Sequence, residues 1–159
     1  MAPPCSLRLA SERDFPALLA IHEASFRALV EGRFAWDPSF QRERLLEGGL
    51  GEVVEAAGEV VGQWLVERGP EELYLARVMI APAWRGRGIA THLIQNLQAE
   101  ARARGVGVAL SVWEENPARA LYERLGFVAQ AQREFRVPMR WEPPLTPSTS
   151  ATSSSGSAG

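Results

Sequence analysis

From Leu7 to Trp141 the apolar positions repeat at two spacings, and the alternation between those spacings predicts the elements. Leu7 to Leu9 reads as a first short strand. Asp14 has the chemistry of a helix N-cap and Pro16 is tolerated in a first turn; Leu18, Leu19, Ile21, His22 and Phe26 then share a helical face from about Phe15 to Val30. Pro38-Ser39 opens a shorter helix carrying Phe40, Leu45 and Leu46, and Gly48-Gly49 stops it. Val53 to Ala57 and Val60 to Glu67 are β-branched-rich runs joined at Gly58-Glu59, a hairpin signal. Leu73 to Ala81 is a longer apolar run ended by Pro82.

After a glycine-rich stretch, Ile89, Leu93, Ile94, Leu97 and Ala101 mark one helical face. Arg102 and Arg104 suit the negative end of that helix, and Gly105 suits its C′ position. Val106 to Val112 predicts another strand. Asn116-Pro117 has the N-cap and N1 chemistry of a helix ending at Gly126, and Phe127 to about Trp141 reads as two final short strands. The order β-α-α-β-β-β-α-β-α-β-β predicts a mixed α/β domain around one sheet, over residues 1–142. The tail from Pro143 to Gly159 is small, polar and nearly without apolar anchors, and is expected to be disordered.

Composition narrows the class. A chain of 159 residues, 46% apolar and 23% charged, has room for one compact soluble domain. No apolar run approaches the ~18 residues a membrane span needs. The start, Met1-Ala-Pro-Pro-Cys-Ser, lacks the layout of a signal peptide, so a cytoplasmic address is the expectation. A formal charge of −2 gives no general attraction to nucleic acid or to an anionic membrane. The 17 basic residues are all arginine. An anion site here therefore relies on guanidinium forks and backbone N–H groups. The single cysteine, Cys5, makes no internal disulfide, and no His or Cys pair has the spacing of a metal site.

The most informative segment runs from Met79 to Ile94, MIAPAWRGRGIATHLI. A buried strand enters a turn with glycines at 86 and 88, and a helix follows at once. Glycine lets backbone approach a ligand closely, and a helix start leaves N–H groups unpaired, which together suit phosphate. Arg85 and Arg87 add charge and paired donors. The plain alternative is a tight turn with exposed arginines. The segment lacks the third glycine of the dinucleotide fingerprint and the Gly-Lys-Ser/Thr of a P-loop.

At these residues the chain resembles the GCN5-related N-acetyltransferases, the GNAT superfamily. Arg85-Gly-Arg-Gly-Ile-Ala90 fits the family's motif A, Gln/Arg-x-x-Gly-x-Gly/Ala, and Asn116 to Phe127, NPARALYERLGF, is similar to its motif B. The resemblance covers Leu7 to Trp141 and implies a central, mostly antiparallel mixed sheet flanked by helices. It implies acetyl-coenzyme A as co-substrate. The diphosphate would lie on the N–H groups of Arg85, Gly86, Arg87, Gly88, Ile89 and Ala90, with the Thr91 hydroxyl added, and the pantetheine arm along Val78 and Ile80. It places the Val78 N–H near the thioester oxygen. Tyr122 matches the family tyrosine that protonates or hydrogen-bonds the departing thiolate; by position alone it is a core tyrosine beside Ala118 and Leu125. Asn116 either binds the coenzyme or caps its helix.

An alkyl ammonium with pKa ~10.4 is neutral in about one molecule in 2,500 at pH 7, a handicap of about 4.6 kcal/mol. Something must take that proton. By family analogy Glu71 and Glu72, at the entry to the central strand, are the nearest candidates, Glu72 preferred, with Glu67 and Glu23 as alternatives, and each also reads as a solvated surface carboxylate. His22 reads as an ordinary buried histidine. Phe34, Trp36 and Phe40 either line an acceptor pocket or belong to the core, and Trp64 and Trp113 read as sheet packing. The implied function is acetyl transfer to a primary amine by direct attack in a ternary complex, the acceptor a small molecule. Alternatives are a peptide or protein N-terminus as acceptor, or a non-catalytic coenzyme A-binding module. Homodimers, frequent in the family, stay open.

Overall fold

The computed structural model of the chain describes residues 2–145. Seven strands form one sheet in the order β1-β2-β3-β4-β5-β7-β6. The strands are β1 Ser6–Leu9, β2 Glu52–Ala56, β3 Glu59–Arg68, β4 Glu72–Ile80, β5 Gly107–Trp113, β6 Val128–Ala129 and β7 Arg136–Trp141. Every neighbouring pair is antiparallel except β4 and β5, which are parallel. The helices are α1 Phe15–Glu31, α2 Pro38–Leu46, α3 Ile89–Arg104 and α4 Ala118–Arg124. The fold class and element order expected from the sequence are those observed. The expected disordered tail is described only to Leu145; the rest lies outside the described residues.

Each helix buries the face its periodicity marks. Leu18 and Ile21 of α1 meet Leu45 of α2 and Val53 and Met79 of the sheet in one apolar layer. On the opposite face Ile89, Leu93, Ile94, Leu97 and Ala101 of α3 meet Val54, Leu73, Val108, Leu110 and Met139, and α4 joins this layer through Tyr122. The pattern of β5 and β7 follows. Val108, Leu110 and Val112, with Val137, Met139 and Trp141, are buried on the α3 side, while every alternate residue of these strands after the first of β5 is half-buried. Helices α1 and α2 cover β3 and β4 and leave the same face of β5 and β7 open.

Two local expectations shift. The β2–β3 hairpin turns at Ala57 and Gly58, with φ of 50° and 76°, rather than at Gly58-Glu59. Two successive positive φ values give the turn twist that matches paired strands. Asp14 precedes α1 but caps nothing there. Its carboxylate accepts from the Arg8 guanidinium at 2.8 and 2.9 Å and from the Ser11 N–H at 2.7 Å. The Arg8 fork comes first among the causes holding the Asp14 carboxyl well below the usual range. The cap chemistry expected there is found at Asp37, which accepts from the N–H groups of Ser39 and Phe40 at the start of α2.

One feature of the sheet positions the site. Pairing of β4 with β5 runs Glu72↔Gly107, Leu73↔Val108 and Tyr74↔Ala109 and stops there, although β4 continues to Ile80 and β5 to Trp113. Against β3 the register jumps from Leu65↔Arg77 to Val66↔Leu75, so Ala76 is an extra residue in β4. A bulge bends its strand and increases the twist. Here it sits where β4 leaves β5, and the sheet forks.

Candidate active site

Beyond Tyr74 the edge of β4 that faces β5 has no strand beside it. Backbone groups alternate between the two edges of a strand. Ala81 donates its N–H across to Val61 O at 2.7 Å. Counting back by two, residue 79 faces β3, and Val78 and Ile80 turn their N–H and C=O groups into the fork. The two strand residues singled out by resemblance therefore share the open edge. The Ile80 carbonyl is already engaged, accepting from Arg85 Nε at 2.8 Å.

The strand then passes through a single 3-10 turn at Pro82–Trp84 into the glycine turn. Gly86 and Gly88 have φ of 73° and 83°, and Gly88 stands at the N-cap of α3 with no side chain capping it. The first hydrogen bond of the helix is His92 N–H to Gly88 O, which leaves the N–H groups of Ile89, Ala90 and Thr91 without an intrahelical acceptor. A Cβ added at Gly86 would meet nothing within 4 Å, and one at Gly88 only Ala2 at 3.7 Å. The turn is thus exposed and open around both glycines, with free N–H groups at the positive end of a 16-residue helix. That is the shape and charge a diphosphate needs, so the residues fit the diphosphate of coenzyme A.

Two members of the expected cradle are placed differently. The Arg85 N–H is bonded to Pro82 O at 3.3 Å, and its guanidinium also donates to Ser25 Oγ at 3.0 Å. Arg85 therefore ties the turn to β4 and α1 instead of offering a free fork. Arg87 is exposed and lies 4.6 Å over the Trp84 ring. Thr91 is half-buried at the head of α3.

Tyr122 is 7% exposed and packs in the same layer as Ile80 and Val112, its ring 5.9 Å from that of Phe127. Burial pushes its phenol up to about 12. Among the described residues the hydroxyl has no hydrogen-bond partner, yet it is not one of the sealed, unpartnered polar atoms. It therefore keeps an outlet from the core. Asn116 Oδ1 accepts the Ala118 N–H at 2.9 Å at the start of α4, a capping contact.

Glu72 does not join this group. It lies at the closed end of the fork, paired in register with Gly107, and its carboxylate is bound to Arg140 at 2.6 Å. Six residues of strand separate it from Val78, roughly 20 Å. Family analogy suggested proximity, but β4 runs away from it toward the turn. Glu23 is held by Arg27 on α1.

On the open face of β5 and β7, three chain segments meet. Phe34, from the α1–α2 connection, stands 6.1 Å from Trp113 and 5.5 Å from Phe135, and those two rings are 4.7 Å apart. Arg33 donates to Glu114 at 2.5 Å and to Glu115 at 2.7 Å, fastening the same junction. Trp113 is thus more than sheet packing. Trp36 instead meets His22 at 5.9 Å, and Phe40 is 54% exposed. His22 is buried and bonded to Gln41 at 2.9 Å; burial depresses its pKa. Sequence reasoning missed Phe135 and Arg136. The alternation of β7 carries the face of Arg136, but nothing local announces either partner. Two small depressions, beside the Ala57-Gly58 turn and between α1 and α2 around Trp36, lie away from the fork. Among the described residues no three His, Cys, Asp or Glu side chains gather as a metal site, and no helix is long and apolar enough to cross a membrane.

A sheet that parts at its centre above an unfilled glycine turn defines the class: an α/β domain that offers a bare strand edge leading into a helix N-terminus. Within that class the assignment is specific. The model of the acetyltransferase (GNAT) family matches residues 15–127, and the chain belongs to that family. N-alpha-acetyltransferase 40 of Saccharomyces cerevisiae (strain ATCC 204508 / S288c) is 38% identical over 84 residues, covering 47% of this chain. The match spans 30% of the yeast protein's length, under a third of it. Among solved structures, PaiA N-acetyltransferase from Thermoplasma acidophilum in complex with coenzyme A superposes with a TM-score of 0.72 at 16% identity, over 87% of this chain and 99% of that one. The ribosomal-protein-S18-alanine N-acetyltransferase of Escherichia coli gives 0.64 at 20% identity, over 92% and 98%. These two share the fold.

Proposed function

We propose that the chain transfers the acetyl group of acetyl-coenzyme A to a primary amine by direct attack in a ternary complex. One observation carries the reading: the Val78 and Ile80 N–H groups on the open edge of β4 continue into the unfilled turn at Gly86 and Gly88. Together they form one line of donors, suited to an extended ligand with amide carbonyls at one end and phosphates at the other.

Acetyl-coenzyme A supplies an activated thioester, and the protein supplies position and charge. Gly86 to Ala90 would hold the diphosphate, with Thr91 at its rim. The Val78 N–H would face the thioester oxygen, where negative charge grows as the amine attacks; one such donor is worth roughly 3–4 kcal/mol. Tyr122 would face the sulfur. Burial pushes the phenol up to about 12, a weaker acid than an ordinary tyrosine, so full proton transfer to the departing thiolate is uphill. Tyr122 therefore acts as a hydrogen-bond donor that steadies the leaving thiolate. The ammonium proton leaves to water, since Glu72 and Glu23 are bound to arginines and Glu71 neighbours Glu72 at the closed end of the fork.

A small-molecule acceptor is our reading. The match to N-alpha-acetyltransferase 40 supports a peptide N-terminus as the second. The test is thiol release from acetyl-coenzyme A with a panel of small amines and short peptides. Turnover on any of them supports transfer. Tight coenzyme binding with no turnover on any acceptor would instead make the chain a binding module.

A further inference from the structure

Arg136 opens β7 in register with Trp113 of β5. Its side chain lies on the open face, because Val137, Met139 and Trp141 take the buried one. Its guanidinium stands 6.0 Å over the Trp113 ring and 5.9 Å over that of Phe135. The parallel ladder pairs Tyr74 with Ala109; Val78 is four residues further along β4 and Trp113 four further along β5. Because Ala76 is an extra residue in that count, Arg136 stands about one residue beyond the level of Val78, across the fork from the edge where the acetyl group would be presented.

Its charge is unanswered. Five arginines of the described residues are partly or fully withdrawn from solvent. Arg44 is paired with Glu47, Arg119 with Glu123 and Arg140 with Glu72, and Arg77 donates to the carbonyls of Leu45 and Arg44. Among the described residues the Arg136 side chain makes no hydrogen bond and no ion pair; only its backbone is paired, with Arg133. Burial and the like charge of Arg44 weigh on it; Tyr74 is also within electrostatic reach, and no carboxylate is among the groups acting on it. Glu114 and Glu115 are taken by Arg33. A guanidinium cannot relieve this by losing its proton, and it presents five N–H donors in a planar fork that matches a carboxylate.

Resting on the transfer reading for what an acceptor is, we propose that Arg136 binds a carboxylate carried by the acceptor, so that this site takes amines bearing a carboxylate. The Trp113 and Phe135 rings flank the guanidinium, and its N–H groups have no acceptor among the described residues. The carboxylate is either the α-carboxylate of a free amino acid or an acidic side chain near a peptide N-terminus.

The test measures binding, so it stands apart from turnover. Products are titrated calorimetrically into the folded chain, with and without saturating coenzyme A. The ligands are N-acetyl amino acids of varied side chain, each against its neutral primary amide. A second arm compares N-acetyl dipeptide amides with Asp or Asn at the second position. At least one carboxylate ligand should bind tenfold or more tightly than its neutral partner. That preference should vanish in Arg136→Met and fall severalfold in Arg136→Lys, with coenzyme affinity unchanged. Preference in the first arm assigns a free amino acid, and preference only in the second an acidic peptide. If Arg136→Met does not fold, Arg136→Gln carries the same expectation. No preference in either arm, or a preference that survives the substitution, overturns the proposal. Failure of thiol release on every amine would remove the transfer reading while these titrations still decide for or against Arg136.

Discussion

Gly88→Ala separates a ligand cradle from a mere turn. Gly88 has φ +83° and Gly105, at the far end of the same helix, has φ +69°. A Cβ at Gly88 meets only Ala2, at 3.7 Å, and one at Gly105 meets nothing within 4 Å. Neither alanine clashes with the chain, so both cost the same left-handed strain, roughly 1–2 kcal/mol. In a domain of this size that lowers Tm by about 2–8 °C for either variant. Only Gly88→Ala puts a methyl group among the N–H groups expected to hold a diphosphate. Losing one charge-assisted hydrogen bond of about 1.5–3 kcal/mol weakens coenzyme A by roughly 10- to 150-fold. Calorimetry with coenzyme A and thermal melts on the two variants give the comparison. Equal melting shifts with an unchanged Kd in Gly88→Ala would refute the cradle, because the methyl group would then stand in space no ligand uses.

Four further outcomes are expected. Tyr122→Phe keeps the ring packing and removes the hydroxyl, so kcat should fall about 100-fold with coenzyme A affinity within about twofold of the parent; full activity removes Tyr122 from the chemistry. The same phenol, pushed up to about 12 from an ordinary value near 10, adds stability that is fully present below about pH 10 and is lost as pH rises through about 12. Urea melts at pH 9 and 11.5 should show that loss in the parent and less of it in Tyr122→Phe. Asp14 has its pKa lowered, first by Arg8, so its contribution is present above about pH 4 and is lost as pH falls below that; Asp14→Asn should lower Tm at pH 7 and flatten acid unfolding, and an unchanged acid profile contradicts this. Gly62→Ala sets a Cβ 2.3 Å from the Met79 carbonyl and 3.0 Å from Ile80 Cδ1, on the paired side of the strand whose other edge feeds the site. It should cost about 2–3 kcal/mol or more and weaken coenzyme A, read by urea melts and calorimetry; parent-like values would show that β4 gives way freely.

The helices were legible because burial repeats with their period. Ile89, Leu93, Ile94, Leu97 and Ala101 mark the face of α3 and are all buried. Gly88 and Gly105 mark its two ends because only glycine takes left-handed φ cheaply. The fork was not legible. Ala76 sits inside the mostly apolar run from Leu73 to Ala81, interrupted only by Arg77, and no residue type there distinguishes a bulge from a regular strand. Asp14 misled for another reason: an acid before a helix has cap chemistry, but Arg8 competes for it and wins, since two charge-assisted bonds outweigh one neutral donor. Glu72 was chosen by family analogy at the entry to β4, and in this chain the length of that strand and Arg140 hold it away from the fork's open end. Phe135 and Arg136 gained meaning only from partners brought together by folding, Phe34 and Trp113 among them.

An unpaired strand edge is a cost that most sheets avoid by pairing or covering it. Here the edge of β4 from Leu75 to Ile80 is left without a strand neighbour at the centre of a seven-stranded sheet, where another strand would ordinarily lie. Three features make that arrangement stable. The bulge at Ala76 turns β4 away from β5, so the exposed amides reach water. Arg85 takes the Ile80 carbonyl and the Ser25 hydroxyl, pinning the free end of the strand to α1. Arg33 bridges to Glu114 and Glu115 at the end of β5, holding the other arm of the fork to the α1–α2 connection. Each arm is thus fixed to the helical layer instead of to the other arm. Because Arg85 consumes the one terminal acceptor, the edge groups left at Val78 and Ile80 act toward a ligand mainly as donors. That bias favours a chain of carbonyls over another β-strand, which would need acceptors as well.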